Sequence, residues 1–105
     1  MKLMTKAIES KLPKIYSNEN KKPEDVSIIV KFFCTWNNWA WYATEGERLE
    51  DGDMKFFGWV HGDFPELGYF LLSEMENTIG PLGLRIERDM YFDGHTLAEA
   101  MKGRI

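Results

Sequence analysis

Arg88 is the residue most in need of an explanation. Leu84, Ile86, Met90 and Phe92 share one face of a strand by alternation, and Arg88 stands in the middle of that apolar row. If the row is buried, its guanidinium needs a carboxylate, because an unpaired buried charge is costly. Glu45 and Glu74 are the candidate partners. The cluster Glu45, Glu74 and Arg88 is then either a structural ion pair or a ligand site, and a cavity lined by Trp41 and Tyr69 is where such a ligand would sit. A guanidinium snorkelling over an exposed face is the third option. Glu87 and Asp89 flank Arg88 and point the other way, as the wet side of an edge strand or as paired carboxylates for acid–base or metal chemistry.

The two histidines are His61 and His95. His61, Asp63 and Glu66 fall within six positions where a strand ends in a turn, and together they offer three ligands to a divalent ion such as zinc. The spacing matches no metal motif, and a solvent-facing turn histidine is the favoured reading. Cys34 is the single cysteine, so no internal disulfide forms and a reducing compartment is expected. It reads as a small buried apolar residue that could join a metal site only through the fold. Ser73 reads as a helix cap, not a nucleophile. No Walker loop and no G-x-G-x-x-G is present.

Five of the nine residues from Glu45 to Asp53 are acidic: Glu45, Glu47, Glu50, Asp51 and Asp53. That run is either a solvated loop or a patch that competes for the basic groove of a nucleic-acid enzyme, because opposite charge steers such encounters. The chain carries 17 acidic and 13 basic residues and a net charge of −4, which argues against a nucleic-acid binder working through a basic face. The aromatics Trp36, Trp39, Trp41 and Tyr42 are dense. With no cationic neighbours to support base stacking, they fit core packing plus one exposed anchor for a protein partner, with Trp36 the candidate.

These residues must be positioned by a small framework. The chain has 105 residues, enough for one domain (1–105) that buries roughly 60–70% of its unfolded surface. Thr5 is the predicted cap of an N-terminal helix that Pro13 stops. Strands are predicted over Val26–Cys34, Trp39–Glu45, Met54–His61, Gly68–Leu72 and Leu84–Phe92, with turns at Asn37-Asn38, Asp51-Gly52, Gly62–Pro65 and Asp93-Gly94. In the second strand, Trp39, Trp41, Ala43 and Glu45 are expected on one side. Ser73-x-x-Glu76 and Thr96-x-x-Glu99 read as capping boxes opening a short helix and a C-terminal helix. The fold class that follows is α+β: an antiparallel five-stranded meander with an N-terminal helix, a short helix before the last strand and a C-terminal helix. The first residues run into a polar helix instead of an apolar h-region, so no signal peptide is expected. No stretch approaches the ~18 apolar residues of a membrane span, and a cytoplasmic location with no membrane contact is expected.

Several motifs stand in a distinctive order: Leu3-Met4-Thr5-Lys6, Leu12-Pro13, Asn38-Trp39-x-Trp41-Tyr42-Ala43-Thr44-Glu45, Phe56-Phe57-Gly58-x-Val60, Glu66-Leu67-Gly68-Tyr69-Phe70-x-Leu72-Ser73-Glu74 and Gly83-Leu84-x-Ile86-Glu87-Arg88-Asp89. In this the chain resembles, over nearly its whole length, a family of short bacterial and phage proteins of unknown function, often carried on plasmids, prophages and conjugative elements. It departs at Leu71, where a small polar residue is usual, and at Cys34, where a Thr or Pro segment is usual. The resemblance implies no assigned chemistry. It implies a setting in which small acidic proteins inhibit host defence nucleases, as anti-CRISPR and anti-restriction proteins do, some with a structural zinc. The expected function is therefore a non-enzymatic, mobile-element-encoded binding module. It would act as a monomer or weak dimer on a host effector such as a CRISPR nuclease, with Glu47, Glu50, Asp51, Asp53 and Trp36 at the contact. The alternatives are a small metal-binding domain or metal-dependent enzyme at His61, Asp63 and Glu66, and an interaction domain for the element's own replication or conjugation machinery.

Overall fold

The computed structural model describes residues 2–103 and 105. Helix α1 (Lys6–Lys11) begins where Thr5 Oγ1 accepts the Ile8 N–H at 3.2 Å, and Pro13 follows its end. Four strands then come in hairpin succession: β1 (Val30–Phe33), β2 (Ala40–Arg48), β3 (Met54–His61) and β4 (Glu66–Leu71). Helix α2 (Leu72–Asn77) follows directly, then the two-residue strand β5 (Glu87–Arg88) and helix α3 (Leu97–Met101). The sheet is antiparallel in the order β4-β3-β2-β1-β5, so the α+β expectation of five antiparallel strands and three helices holds. The fifth strand joins the edge opposite β4, beside β1, with Phe32 facing Arg88.

Both faces of the sheet are packed. On the first face Val30, Phe32, Ala43, Phe56 and Phe70 meet Leu3 and Met4 from the N-terminus, Leu72 and Met75 from α2, and Ile86. Part of the second face carries Ile28, Ala40 and Tyr42 against Ala100 of α3, with Phe33, Trp59 and Phe92 beside them. Gly58 is fixed by close approach: a Cβ there would lie 1.8 Å from the Tyr42 carbonyl oxygen.

Three local expectations are corrected. Ser73 does not cap α2. The helix starts two residues earlier than a Ser73 cap would set it, at Leu72, where Glu74 Oε1 accepts the Leu71 N–H at 3.1 Å. Ser73 instead donates its hydroxyl to Asp53 Oδ2 at 2.5 Å. The Leu84–Phe92 strand shortens to Glu87–Arg88, because only β1 is free to pair there and it offers two residues. Finally, a β-bulge between Ala43 and Glu45 sets Thr44 and Glu45 against the single residue Phe57. Alternation therefore breaks, and Glu45 lies on the opposite face from Trp41.

Candidate functional site

The bulge is what makes a site. Glu45 and Phe57 are Cα partners, and Phe57 is in turn paired with Tyr69, so all three side chains rise from the second face. The rings of Phe57 and Tyr69 lie 5.1 Å apart between centroids. Leu67, two residues before Tyr69, extends the same row along edge strand β4. Thr44 secures the bulge by donating its hydroxyl to the Phe57 carbonyl at 3.2 Å.

A run of turns from Lys14 to Lys21 folds over this row. Its main chain is fastened to β2 by the Gly46 N–H donating to the Pro13 carbonyl at 2.9 Å, and by the Tyr16 N–H donating to Glu45 Oε1 at 2.5 Å. Tyr16 adopts φ 76, a left-handed conformation uncommon for an aromatic residue and one that clusters at functional sites. The result is a cavity of 320 Å³ lined by Tyr16, Glu45, Phe57, Leu67, Tyr69 and Leu97, among others. That size falls in the range of small-ligand pockets.

Glu45 is 3% exposed, whereas Tyr16, Leu67 and Tyr69 are 64%, 44% and 48% exposed. A buried acid thus lies among walls that are mostly apolar and solvent-facing, beside Asn18, Glu19 and Lys21. The nearby Tyr16 phenol, aided by burial and by the charge on Glu45, raises the Tyr69 hydroxyl above the usual tyrosine range. Lys55 Nζ already rests 4.4 Å from the Tyr69 ring centroid, an internal cation–π contact.

The expected cluster of Glu45, Glu74 and Arg88 is not brought together. Glu74 caps α2, and Arg88 Nη1 donates to the carbonyls of Lys2 and Leu3 at 2.7 and 3.1 Å. Main-chain oxygens of the N-terminus therefore receive the guanidinium for which Glu45 and Glu74 were the expected carboxylates. Trp41, Tyr69 and Glu74 do line a common 310 Å³ cavity, with Glu66 and Met75, but Glu45 and Arg88 are not among its walls.

His61, Asp63 and Glu66 do not converge either. Glu66 pairs with Val60, so the preceding and following residues of β3, His61 included, point to the other face from Glu66. Among the described residues no group of three or more His, Cys, Asp and Glu is arranged to hold a metal ion. Cys34 is buried, and burial pushes its thiol up.

The acidic segment is largely tied into the fold. Asp53 Oδ1 accepts the N–H groups of Met54 and Ser73 at 2.8 and 3.0 Å, and the Ser73 hydroxyl, ahead of these, holds the carboxyl below the usual range. Asp51 Oδ1 accepts the Asp53 N–H at 3.0 Å, and Arg48 pairs with Glu9. Glu47 and Glu50 remain as exposed charges. Trp36 is half-buried on the first core cluster and so packed on Gly80 that a Cβ there would lie 2.5 Å from its ring. It packs against the core from its edge, and the large exposed aromatics among the described residues are Phe64, Tyr91, Tyr16 and Tyr69.

The sequence names Glu45 and Tyr69 but misses Tyr16, Phe57 and Leu67. A signal for two of these was present. Phe57-x-Trp59 and Leu67-x-Tyr69 alternate on the strand face opposite the predicted core, where polar residues are the norm. No comparable signal marks Tyr16.

No helix is long and apolar enough to cross a membrane among the described residues. A family model described as a protein of unknown function (DUF2958) matches residues 3–101. No curated protein and no solved structure matches the chain.

Proposed function

We propose that the chain, which belongs to the DUF2958 family, is a non-enzymatic protein-binding module whose contact surface is the second face of its sheet around Tyr16, Leu67 and Tyr69. The observation that carries this reading is the set of three large exposed side chains, Tyr16, Leu67 and Tyr69, gathered around one cavity. Contiguous exposed apolar surface with a polar rim is the usual mark of an interaction site, and tyrosine is favoured there. The net charge of −4 favours a basic partner.

The finer reading is that the module is carried by a mobile element and inhibits a host defence nuclease of CRISPR or restriction type, acting in the bacterial cytoplasm. A nuclease presents basic nucleic-acid-binding surface, which suits an acidic inhibitor. The test is an affinity pull-down of tagged protein from host cells expressing a CRISPR effector. The expected result is near-stoichiometric recovery of the effector by the wild type and its loss with Leu67→Asp. An empty eluate together with unchanged phage restriction in cells overturns the reading.

A further inference from the structure

Glu45 is an unusual group to find buried in a cavity whose walls are mostly apolar, with Asn18, Glu19 and Lys21 as its other polar lining. It is almost fully buried, and among the described residues one N–H, that of Tyr16, is its hydrogen-bond donor. A carboxylate offers about four acceptor positions, so one donor leaves capacity unused. The ion pairs among the described residues are Arg48–Glu9 and His95–Glu99, and neither includes Glu45. Lys21 lines the cavity without pairing with it. A buried carboxylate without a counter-charge is costly to keep, and an entering cation removes that cost.

The walls suit the same occupant. Tyr16, Phe57 and Tyr69 present ring surface, which attracts cations and the methylene stems of basic side chains alike. Lys55 over Tyr69 shows that this ring takes an ammonium group. An apolar occupant would use the walls but seal Glu45 away from any further partner. A carboxylate occupant would oppose it directly.

We propose that the cavity receives a lysine or arginine side chain of the bound partner, its stem between Tyr16, Phe57 and Tyr69 and its charged end on Glu45. This rests on the reading of the chain as a protein-binding module, and it names the group that the module recognises. The bulge at Thr44 is the device that places the carboxyl there, and the Tyr16 main chain holds it in position.

The test uses small probes, so that it does not depend on finding the partner. Nα-acetyl-arginine amide and Nα-acetyl-lysine amide are titrated into 15N-labelled protein and followed by two-dimensional NMR, with Nα-acetyl-norleucine amide as the neutral analogue. The basic amides are expected to shift the amides of Tyr16, Glu45, Phe57 and Tyr69 in a saturable way, and the norleucine amide about tenfold more weakly. Glu45→Gln keeps an oxygen for the Tyr16 N–H and is expected to abolish the preference for the basic probes. Tyr69→Ala, which leaves the Glu45–Tyr16 bond intact, is expected to weaken both basic probes. Equal binding of basic and neutral probes, or no saturable shift at these residues, overturns the proposal. A partner captured through Leu67 but indifferent to Glu45→Gln also overturns it while leaving the protein-binding reading standing. Probe binding with no partner in the pull-down would retire that reading and keep the cation chemistry of the cavity.

Discussion

The Asp53 carboxylate accepts hydrogen bonds from Met54 N, Ser73 N and Ser73 Oγ, and so joins the β2–β3 turn to the start of α2. These bonds favour its ionised form and hold its pKa below the usual carboxylate value. A depressed folded-state pKa contributes stability that is present above the unfolded value of ~3.9 and is lost as pH falls through the folded one. Asp53→Asn should therefore lower the urea midpoint at neutral pH and flatten its decline below pH ~4, which a series of denaturation curves would show. A mutant whose acid limb matches the wild type would mean that the three bonds do not discriminate between charge states. Gly58 gives a second prediction at this scale. Alanine would set a methyl 1.8 Å from the Tyr42 oxygen, where both partners are backbone and neither can yield. Gly58→Ala should cost ~3 kcal/mol or more, read from chemical denaturation, and a loss under ~1 kcal/mol would show that the β2–β3 ladder can open to admit it.

Among the elements, β2 decides most. It is the longest strand and it crosses from one role to another at the Ala43/Glu45 bulge. Before the bulge, Trp41 and Ala43 pack on the first core. After it, Glu45 faces the cavity while Gly46 meets Leu12 and Phe56. Thr44 is the extra residue of the bulge, so its removal leaves Glu45 next to Ala43 and still opposite Phe57, with both faces beyond it unchanged. Deletion of Thr44 should therefore keep a cooperative thermal unfolding transition, as followed by circular dichroism. Loss of that transition would mean that the hairpin depends on the bulge itself and on the Thr44 hydroxyl bound to the Phe57 carbonyl. Thr96→Ala should cost only ~1 kcal/mol, because it removes one capping acceptor from a helix whose packing through Leu97 and Ala100 is untouched.

At the scale of the whole molecule, charge and surface act together. If the chain is the protein-binding module proposed above, its net charge of −4 would supply long-range attraction to a basic partner and the exposed tyrosines the short-range contact. Long-range steering is screened within ~10 Å at 0.1 M salt and ~3 Å at 1 M. Association with the partner should thus slow about tenfold between low salt and ~0.5 M salt, while dissociation changes less. Surface plasmon resonance separates the two rates, and a salt-independent association rate would confine the interaction to apolar contacts.

The sequence by itself determined the number and order of the strands, though not the extent of the first and the last, together with the hairpin turns at Asn37-Asn38 and Asp51-Gly52 and the caps at Thr5 and Thr96. Each depends on residues within a few positions of one another, where alternation, turn chemistry and hydroxyl caps act locally. Two of the site residues were legible too, since Glu45 and Tyr69 stand out by type. Only the tertiary structure decided what surrounds them. The side on which Glu45 lies depends on one extra residue in a ladder, and the predicted period of two carries no sign of it. The partner of Arg88 comes from the far N-terminus, at a separation that no local rule spans. Tyr16 closes the cavity because its main chain is held across 29 positions by the carboxyl that it covers, and so the floor and the lid of the site exist only together.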